Sequence, residues 1–85
     1  MDRLIEEIRG LRNEPTHRSA LRIYNLLENN KKTFLAKIEP SLYQLMLSNF
    51  EELANATPTA YSAPDFKDDY TRHYNMLFYN LDKVI

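Results

Sequence analysis

The C-terminal stretch from Asp65 to Ile85 constrains the fold of this chain most. Its apolar residues recur at steps of four, four, three, four and three, with no glycine or proline between them: Phe66, Tyr70, Tyr74, Leu77, Leu81 and Val84. This spacing places them on one side of an α-helix. Phe78 and Ile85 widen the stripe, whereas Met76 and Tyr79 lie outside it. A helix that is apolar over so much of its circumference is expected to contact more than one neighbour.

The chain contains a single glycine and no cysteine among its 85 residues. Folds built of strands and turns normally need several glycines at positions with positive φ, so this composition favours helices joined by short connections. Without cysteine, neither a disulfide nor a thiolate metal site can reinforce the fold. Stability then depends on one small apolar core.

Three further amphipathic segments precede the C-terminal helix. Helical spacing and the positions of the prolines predict helices near residues 2 to 12, 16 to 38, 41 to 55 and 63 to 84. Residues suited to capping a helix stand at their starts: Asp2, Thr16, Ser41 and Ser62. Gly10 falls inside the first pattern, which favours either a close approach of another helix or an early end of the first one.

The second segment allows two interpretations at Asn29 and Asn30. Asparagine tolerates backbone conformations that end a helix, so a break there gives five helices in total. The apolar phase nevertheless continues from Ala20 to Ile38 without a shift. We therefore favour one helix of about 22 residues.

Together these patterns predict an all-α fold, a small antiparallel bundle of four helices that forms one domain over residues 1 to 85. No apolar run is long enough for a membrane span, and the acidic N-terminus lacks the apolar core of a signal peptide. We therefore expect a cytoplasmic protein with no membrane partner. The apolar C-terminal end leaves one further interpretation open, namely that these residues are the N-terminal domain of a longer protein.

Two groups of residues have spacings that are found in metal sites. Asp65, Asp69 and His73 lie four residues apart on one helix, but this is also the ordinary spacing of charge pairs on a helix surface, which we favour. Glu14 and His17 have the E-x-x-H spacing of di-iron bundles, of which only one copy is present. Neither histidine belongs to a recognisable nucleophile motif, and one glycine excludes the glycine-rich phosphate loops. We predict a non-enzymatic protein with no cofactor and no dependence on metal ions.

Charge is distributed unevenly along the chain. Residues 15 to 37 carry five basic residues against one acidic residue, and residues 38 to 85 carry three basic residues against seven acidic ones. The basic side chains of the middle segment are candidates for contacts with a phosphate backbone: Arg18, Arg22, Lys31, Lys32 and Lys37. A solvated helix face explains the same pattern, and the net charge of −1 is not typical of a dedicated nucleic-acid binder. Nucleic-acid binding is therefore the less favoured function.

The favoured function is protein binding through the C-terminal helix. Met76 and Tyr79 lie near each other outside the apolar stripe, and Arg72 and Lys83 flank them. Methionine adapts to a partner, tyrosine buries a large area at low entropic cost, and charged side chains are typical of an interface rim. We predict a small accessory or regulatory protein that binds another protein, or itself as a homodimer, through these residues.

Overall fold

Helices account for nearly all of the regular structure. The computed structural model describes residues 2–84, without the side chains of Asp2, Tyr61 and Val84. This part of the chain contains six helices: α1 Asp2–Gly10, α2 His17–Asn29, α3 Lys31–Leu35, α4 Pro40–Ala54, α5 Pro58–Tyr61 and α6 Pro64–Val84. No strand occurs between residues 2 and 84, so the prediction of an all-α fold is confirmed. The predicted cap at Asp2 and the predicted core contacts of Val84 and Ile85 concern side chains outside this description.

One face of α6 forms the centre of the core. The predicted apolar stripe is confirmed, because its described members are all buried: Phe66, Tyr70, Tyr74, Leu77 and Leu81. They pack in one cluster with buried residues of the other helices, among them Ile8, Ile23, Met46 and Phe50. Although α6 is 21 residues long, neither it nor any other described helix is apolar enough over a sufficient length to cross a membrane.

The end of α1 is attached to α6 by two tyrosine hydroxyls. The Tyr70 hydroxyl donates to the Leu11 carbonyl oxygen at 2.6 Å, and the Tyr74 hydroxyl donates to the Ile8 carbonyl oxygen at 3.1 Å. The same two carbonyl oxygens also accept a backbone N–H, Ile8 from Leu11 and Leu11 from Glu14, so each tyrosine adds a second hydrogen bond at the end of α1. The Tyr43 hydroxyl donates to the Leu27 carbonyl oxygen near the end of α2, at 2.8 Å.

The second predicted helix is divided at Asn30. This residue has φ −118° and ψ 32°, and both its backbone N–H and its side-chain amide donate to the Leu26 carbonyl oxygen, at 3.2 and 2.9 Å. The prediction of one long helix is therefore wrong, and the alternative break at Asn29–Asn30 is found. The apolar phase continues across the break because Leu27 and Phe34 both enter the core.

Of the caps predicted for α2 and α4, the one at Thr16 is confirmed and the one at Ser41 is wrong. The Thr16 hydroxyl accepts a hydrogen bond from the Ser19 backbone N–H at 3.2 Å and caps α2. In contrast, α4 begins at Pro40 with Glu39 as its cap, so Ser41 lies inside the first turn. Proline is favoured at the first helical position because its fixed φ suits a helix and its missing N–H has no partner there in any case.

The connection between α4 and α6 contains the short helix α5. The Thr57 hydroxyl caps it by accepting a hydrogen bond from the Ala60 backbone N–H. The Ser62 hydroxyl donates to the Pro58 carbonyl oxygen at 2.8 Å, so Ser62 closes α5, and its predicted role as the cap of the last helix is wrong. With α3 and α5 included, the described chain has six helices where four or five were predicted.

Gly10 is the last residue of α1. A Cβ atom added at this position would have no heavy atom within 4 Å. The first helix therefore ends early at Gly10, and the alternative of a close helix approach does not apply.

Candidate functional site

The side of α6 opposite the core carries a second regular series of residues. It recurs at steps of four, three, four, three and four, and we call it the outer seam: Asp65, Asp69, Arg72, Met76, Tyr79 and Lys83. This alternation of four and three keeps all six side chains close to one line along the helix. The four residues predicted to bind a partner all belong to the outer seam.

Tyr79 is the most exposed large apolar side chain among the described residues, at 64%. The Lys83 ammonium nitrogen lies 4.2 Å from the centroid of its ring. Such a cation–π contact contributes about 0.5 to 1 kcal/mol at an exposed site. Lys83 therefore covers part of the ring, while most of the Tyr79 side chain stays exposed.

Met76 lies half-buried next to Tyr79 on the outer seam. It packs against the buried core cluster, which differs from the prediction that it stands apart from the core. An unbranched thioether side chain can reach from the seam towards the core, because it has three rotatable bonds. Met76 therefore links the two faces of α6, and Tyr79 is the exposed large apolar side chain of the outer seam.

The charged residues of the outer seam are separated by sign. Arg72 pairs with Asp69 at 2.6 Å between the guanidinium and the carboxylate. An exposed pair of this kind adds little stability, but it fixes both side chains along the helix. Asp65 and Asp69 make the N-terminal part of the seam acidic, whereas Lys83 makes its C-terminal end basic.

A cleft of about 520 Å³ borders the N-terminal half of the seam. Asn49 and Glu52 of α4 line it on one side, and Asp69, Arg72 and His73 of α6 line it on the other. A smaller cleft of about 290 Å³, lined by Leu42 and Lys83 among others, lies between the same helices near the C-terminal end of α6. The α4 helix therefore borders the seam over most of its length.

Leu45 is a further candidate that the site predictions did not include. It lies on α4 between Leu42 and Asn49, which line the two clefts, and its side chain is 50% exposed. Residues three or four positions apart share a helix face, so Leu45 lies on the side of α4 that borders α6. Its position off the main apolar stripe of α4 is the signal by which the sequence alone indicates it.

His73 lines the larger cleft, next to Arg72. Burial lowers the pKa of His73, and the positive charge of Arg72 lowers it further. Its ring contacts Phe50 edge-on, with the centroids 6.5 Å apart. Among the side chains that the structure describes, no three of His, Asp or Glu converge as metal ligands would, so Asp65, Asp69 and His73 do not form such a group.

The basic residues of the middle segment are distributed over α2, α3 and the turn that follows α3. All five are exposed: Arg18, Arg22, Lys31, Lys32 and Lys37. The Arg22 guanidinium pairs with the Glu7 carboxylate of α1, which neutralises its charge. Arg18 and Arg22 line a cleft beside Glu14, whereas Lys37 lines a different cleft near the end of α6.

Comparison of the chain with protein-family models, with curated proteins and with solved structures finds no match. The outer seam and Leu45 form the surface with the largest exposed apolar side chains of the described chain.

Proposed function

We propose that this protein is a non-enzymatic protein-interaction module, a small accessory or regulatory protein that docks through the outer seam of α6. The observation that carries the proposal is the 64% exposure of Tyr79, a side chain with no packing role comparable to that of the buried tyrosines. A tyrosine ring contributes a large contact area at low entropic cost and is enriched at interface hot spots.

The surroundings of Tyr79 support the same function. Met76 offers an adaptable apolar neighbour, and Leu45 of α4 adds a second exposed apolar side chain on the adjoining helix. Arg72 and Lys83 supply charge at the margin. An apolar centre with a charged rim is the usual organisation of a protein interface.

The lining of the larger cleft supports a non-enzymatic role. His73 is the natural general base there. The other described residues that line this cleft include no serine, threonine, cysteine or lysine that it could activate. Without such a side chain, His73 cannot form the nucleophile–base pair of covalent catalysis there.

We also infer that the four longer helices, α1, α2, α4 and α6, form an antiparallel bundle. Contacts along α1 and α6 occur in reverse order, since Ile8 meets Tyr74 and the later Leu11 meets the earlier Tyr70. The same reversal between α4 and α6 is supported by Phe50, whose ring centroid lies 6.2 Å from that of Tyr70, and by the cleft that Leu42 shares with Lys83. This arrangement leaves the outer seam at the surface.

A binding experiment with three variants tests the proposed docking face. The parent chain, a Met76→Glu/Tyr79→Lys variant and a Leu21→Lys control are immobilised, and the proteins they retain from a cell extract are identified by mass spectrometry. Leu21 is a suitable control because it is also an exposed leucine, at 41%, but lies on α2. We expect proteins that the parent and the control retain and that the seam variant loses at least tenfold. Equal retention by all three chains contradicts the proposal.

Nucleic-acid binding through Arg18, Arg22, Lys31, Lys32 and Lys37 is the alternative, and it ranks lower because Arg22 is paired with Glu7. Phosphate contacts release counterions, so nucleic-acid binding falls steeply with salt. Retention of the parent on heparin that falls steeply with salt and is lost in an Arg18→Glu/Lys32→Glu variant would favour the alternative.

A further inference from the structure

The outer seam has the spacing of a coiled-coil contact line. Its six positions alternate between steps of four and three, as the contact positions of a heptad repeat do when two helices pack side by side over several turns. The inner stripe of α6 keeps the same alternation from Tyr70 onwards but begins with an additional step of four, so only the outer series keeps it over its whole length. The outer seam is therefore suited to a second helix as its partner.

The charges along the seam indicate which helix fits. Asp65 and Asp69 stand at one end and Lys83 at the other, with Met76 and Tyr79 between them. A second copy of the seam in parallel orientation would place aspartate against aspartate and lysine against lysine. In antiparallel orientation each acidic end meets a basic end. Like charges held opposite each other are destabilising, so this charge pattern favours the antiparallel orientation.

We propose that the partner of the outer seam is a second copy of this chain, packed antiparallel about a two-fold axis at Met76. The inference rests on the proposed function, since it names the partner of that same face. With Met76 opposite the partner's Met76, the spacing places Tyr79 opposite the partner's Arg72 and Lys83 opposite the partner's Asp69. Each contact occurs twice, as a two-fold interface requires.

Contacts within one chain already position the side chains for this pairing. Arg72 is held to Asp69 at 2.6 Å, and Lys83 is held over the Tyr79 ring at 4.2 Å. In the dimer, Lys83 joins the pair made by the partner's Arg72 and Asp69. At each end the three charged side chains then form a network beside the Tyr79 ring, and little side-chain freedom is lost on association.

A contact made mainly by one helix from each copy is small. Interfaces below about 1,200 Å² are typical of transient complexes. We expect a weak dimer, with a dissociation constant on the order of 0.1 mM.

Charge reversal at the two ends of the seam tests both the partner and the register. Lys83→Asp places aspartate opposite the partner's Asp69, and Asp69→Lys places lysine opposite the partner's Lys83. Sedimentation equilibrium should show that each variant alone dimerises roughly fivefold to tenfold more weakly than the parent. An equimolar mixture of the two restores opposite charges at both ends, and we expect it to form a heterodimer at least as strong as the parent dimer.

Two controls accompany this measurement. Lys31→Asp makes the same charge change on α3, outside the seam, and should leave dimerisation unchanged. Far-UV circular dichroism shows that each variant keeps its helical content. Because the altered side chains are exposed or half-exposed, no loss of fold is expected.

The outcomes separate this inference from the proposed function. A parent that remains monomeric at about 1 mM overturns self-association, while retention of another protein through Tyr79 still supports a docking face. If dimerisation of the Lys83→Asp variant is restored by mixing it with Asp65→Lys and not with Asp69→Lys, the proposed register is wrong. A parent dimer that Lys83→Asp does not weaken overturns the seam as the contact.

Discussion

The two faces of α6 use the same amino acid for opposite purposes. On the inner face, Tyr70 and Tyr74 are buried, and their hydroxyls donate to carbonyls at the end of α1. On the outer face, Tyr79 is exposed and has a lysine over its ring. A tyrosine stabilises the fold where its ring is buried and its hydroxyl has a partner, and it becomes available for binding where neither condition holds.

The inner face of α6 has one edge next to α1 and another next to α4, and these two edges differ. On the α1 side, the Arg9 guanidinium lies 4.8 Å from the Phe78 ring centroid and pairs with Asp82 at 2.9 Å. Arg12 lies over the Tyr74 ring at 5.9 Å. On the α4 side, the clefts and Leu45 leave the surface open. The inner face is therefore closed on the side of α1, whereas the proposed docking surface borders α4.

The largest effect in this comparison is expected from Leu77→Ala on the inner face. Leu77 is fully buried in the middle of the stripe, so its truncation leaves a cavity and should lower the free energy of unfolding by about 2 to 4 kcal/mol. Leu45→Ala is the matched control, because it removes the same atoms from a half-exposed leucine. Urea denaturation measures both. Equal losses in the two variants would mean that truncation of the buried Leu77 costs no more than truncation of the half-exposed Leu45, which would contradict the contrast between core and surface.

Removal of a single hydroxyl should lower stability for a tyrosine of the inner face but not for Tyr79 on the outer face. Tyr74→Phe deletes the hydrogen bond to the Ile8 carbonyl while the ring stays, and should lower stability by about 0.5 to 1.5 kcal/mol. The Ile8 carbonyl keeps its bond from the Leu11 N–H, which limits the loss. Tyr79→Phe deletes an exposed hydroxyl and should leave the urea midpoint unchanged. A larger loss in Tyr79→Phe than in Tyr74→Phe would contradict the assignment of the two faces.

High pH should weaken the inner face through its tyrosines. Burial raises the pKa of Tyr74 from 10.0 to about 12, and it raises the pKa of Tyr70 as well. Above pH 10 the unfolded chain releases phenol protons that the folded chain retains. Stability is therefore fully present below pH 10 and falls as the pH rises towards about 12.

Comparing the stability of the parent and of a variant over the same pH range separates the effect of Tyr70 and Tyr74 from that of other groups that titrate at high pH. The fall in the free energy of unfolding should be smaller in a Tyr70→Phe/Tyr74→Phe variant than in the parent. A hydrogen bond with Glu28 raises the pKa of Tyr24 to about 12, but Tyr24 is present in both chains and cancels. Identical pH profiles for the two chains would show that the buried hydroxyls do not control the transition.

The core of this fold could be predicted from the sequence because periodicity depends only on helix geometry. The stripe of α6 and the α2 cap at Thr16 follow from local spacing and local hydrogen bonding. The break at Asn30 could not be decided in the same way, since Leu27 and Phe34 reach the core on both sides of it. Periodicity reports which side chains are buried, not whether the backbone between them is continuous.

The candidate site was predictable only in part, because it depends on contacts between helices. Tyr79 and Lys83 are neighbours on one helix, and their proximity follows from a spacing of four. The partial burial of Met76, the pairing of Arg22 with Glu7 and the place of Leu45 beside α6 all require knowledge of which helix lies next to which. A single sequence carries no such information about distant pairs.

The smallest expected effect concerns the outer face alone, and it tests whether Tyr79 is free for a partner. A double-mutant cycle of Tyr79→Ser and Lys83→Gln measures the energy of their contact, which we expect to be about 0.5 kcal/mol, as for other exposed cation–π pairs. Serine and tyrosine have similar helix propensities, so Tyr79→Ser should cost little else. Unfolding is followed at low protein concentration, where the proposed dimer is dissociated. A cost of Tyr79→Ser near that of Leu77→Ala would mean that Tyr79 belongs to the fold, and the contrast between the two faces of α6 would then fail.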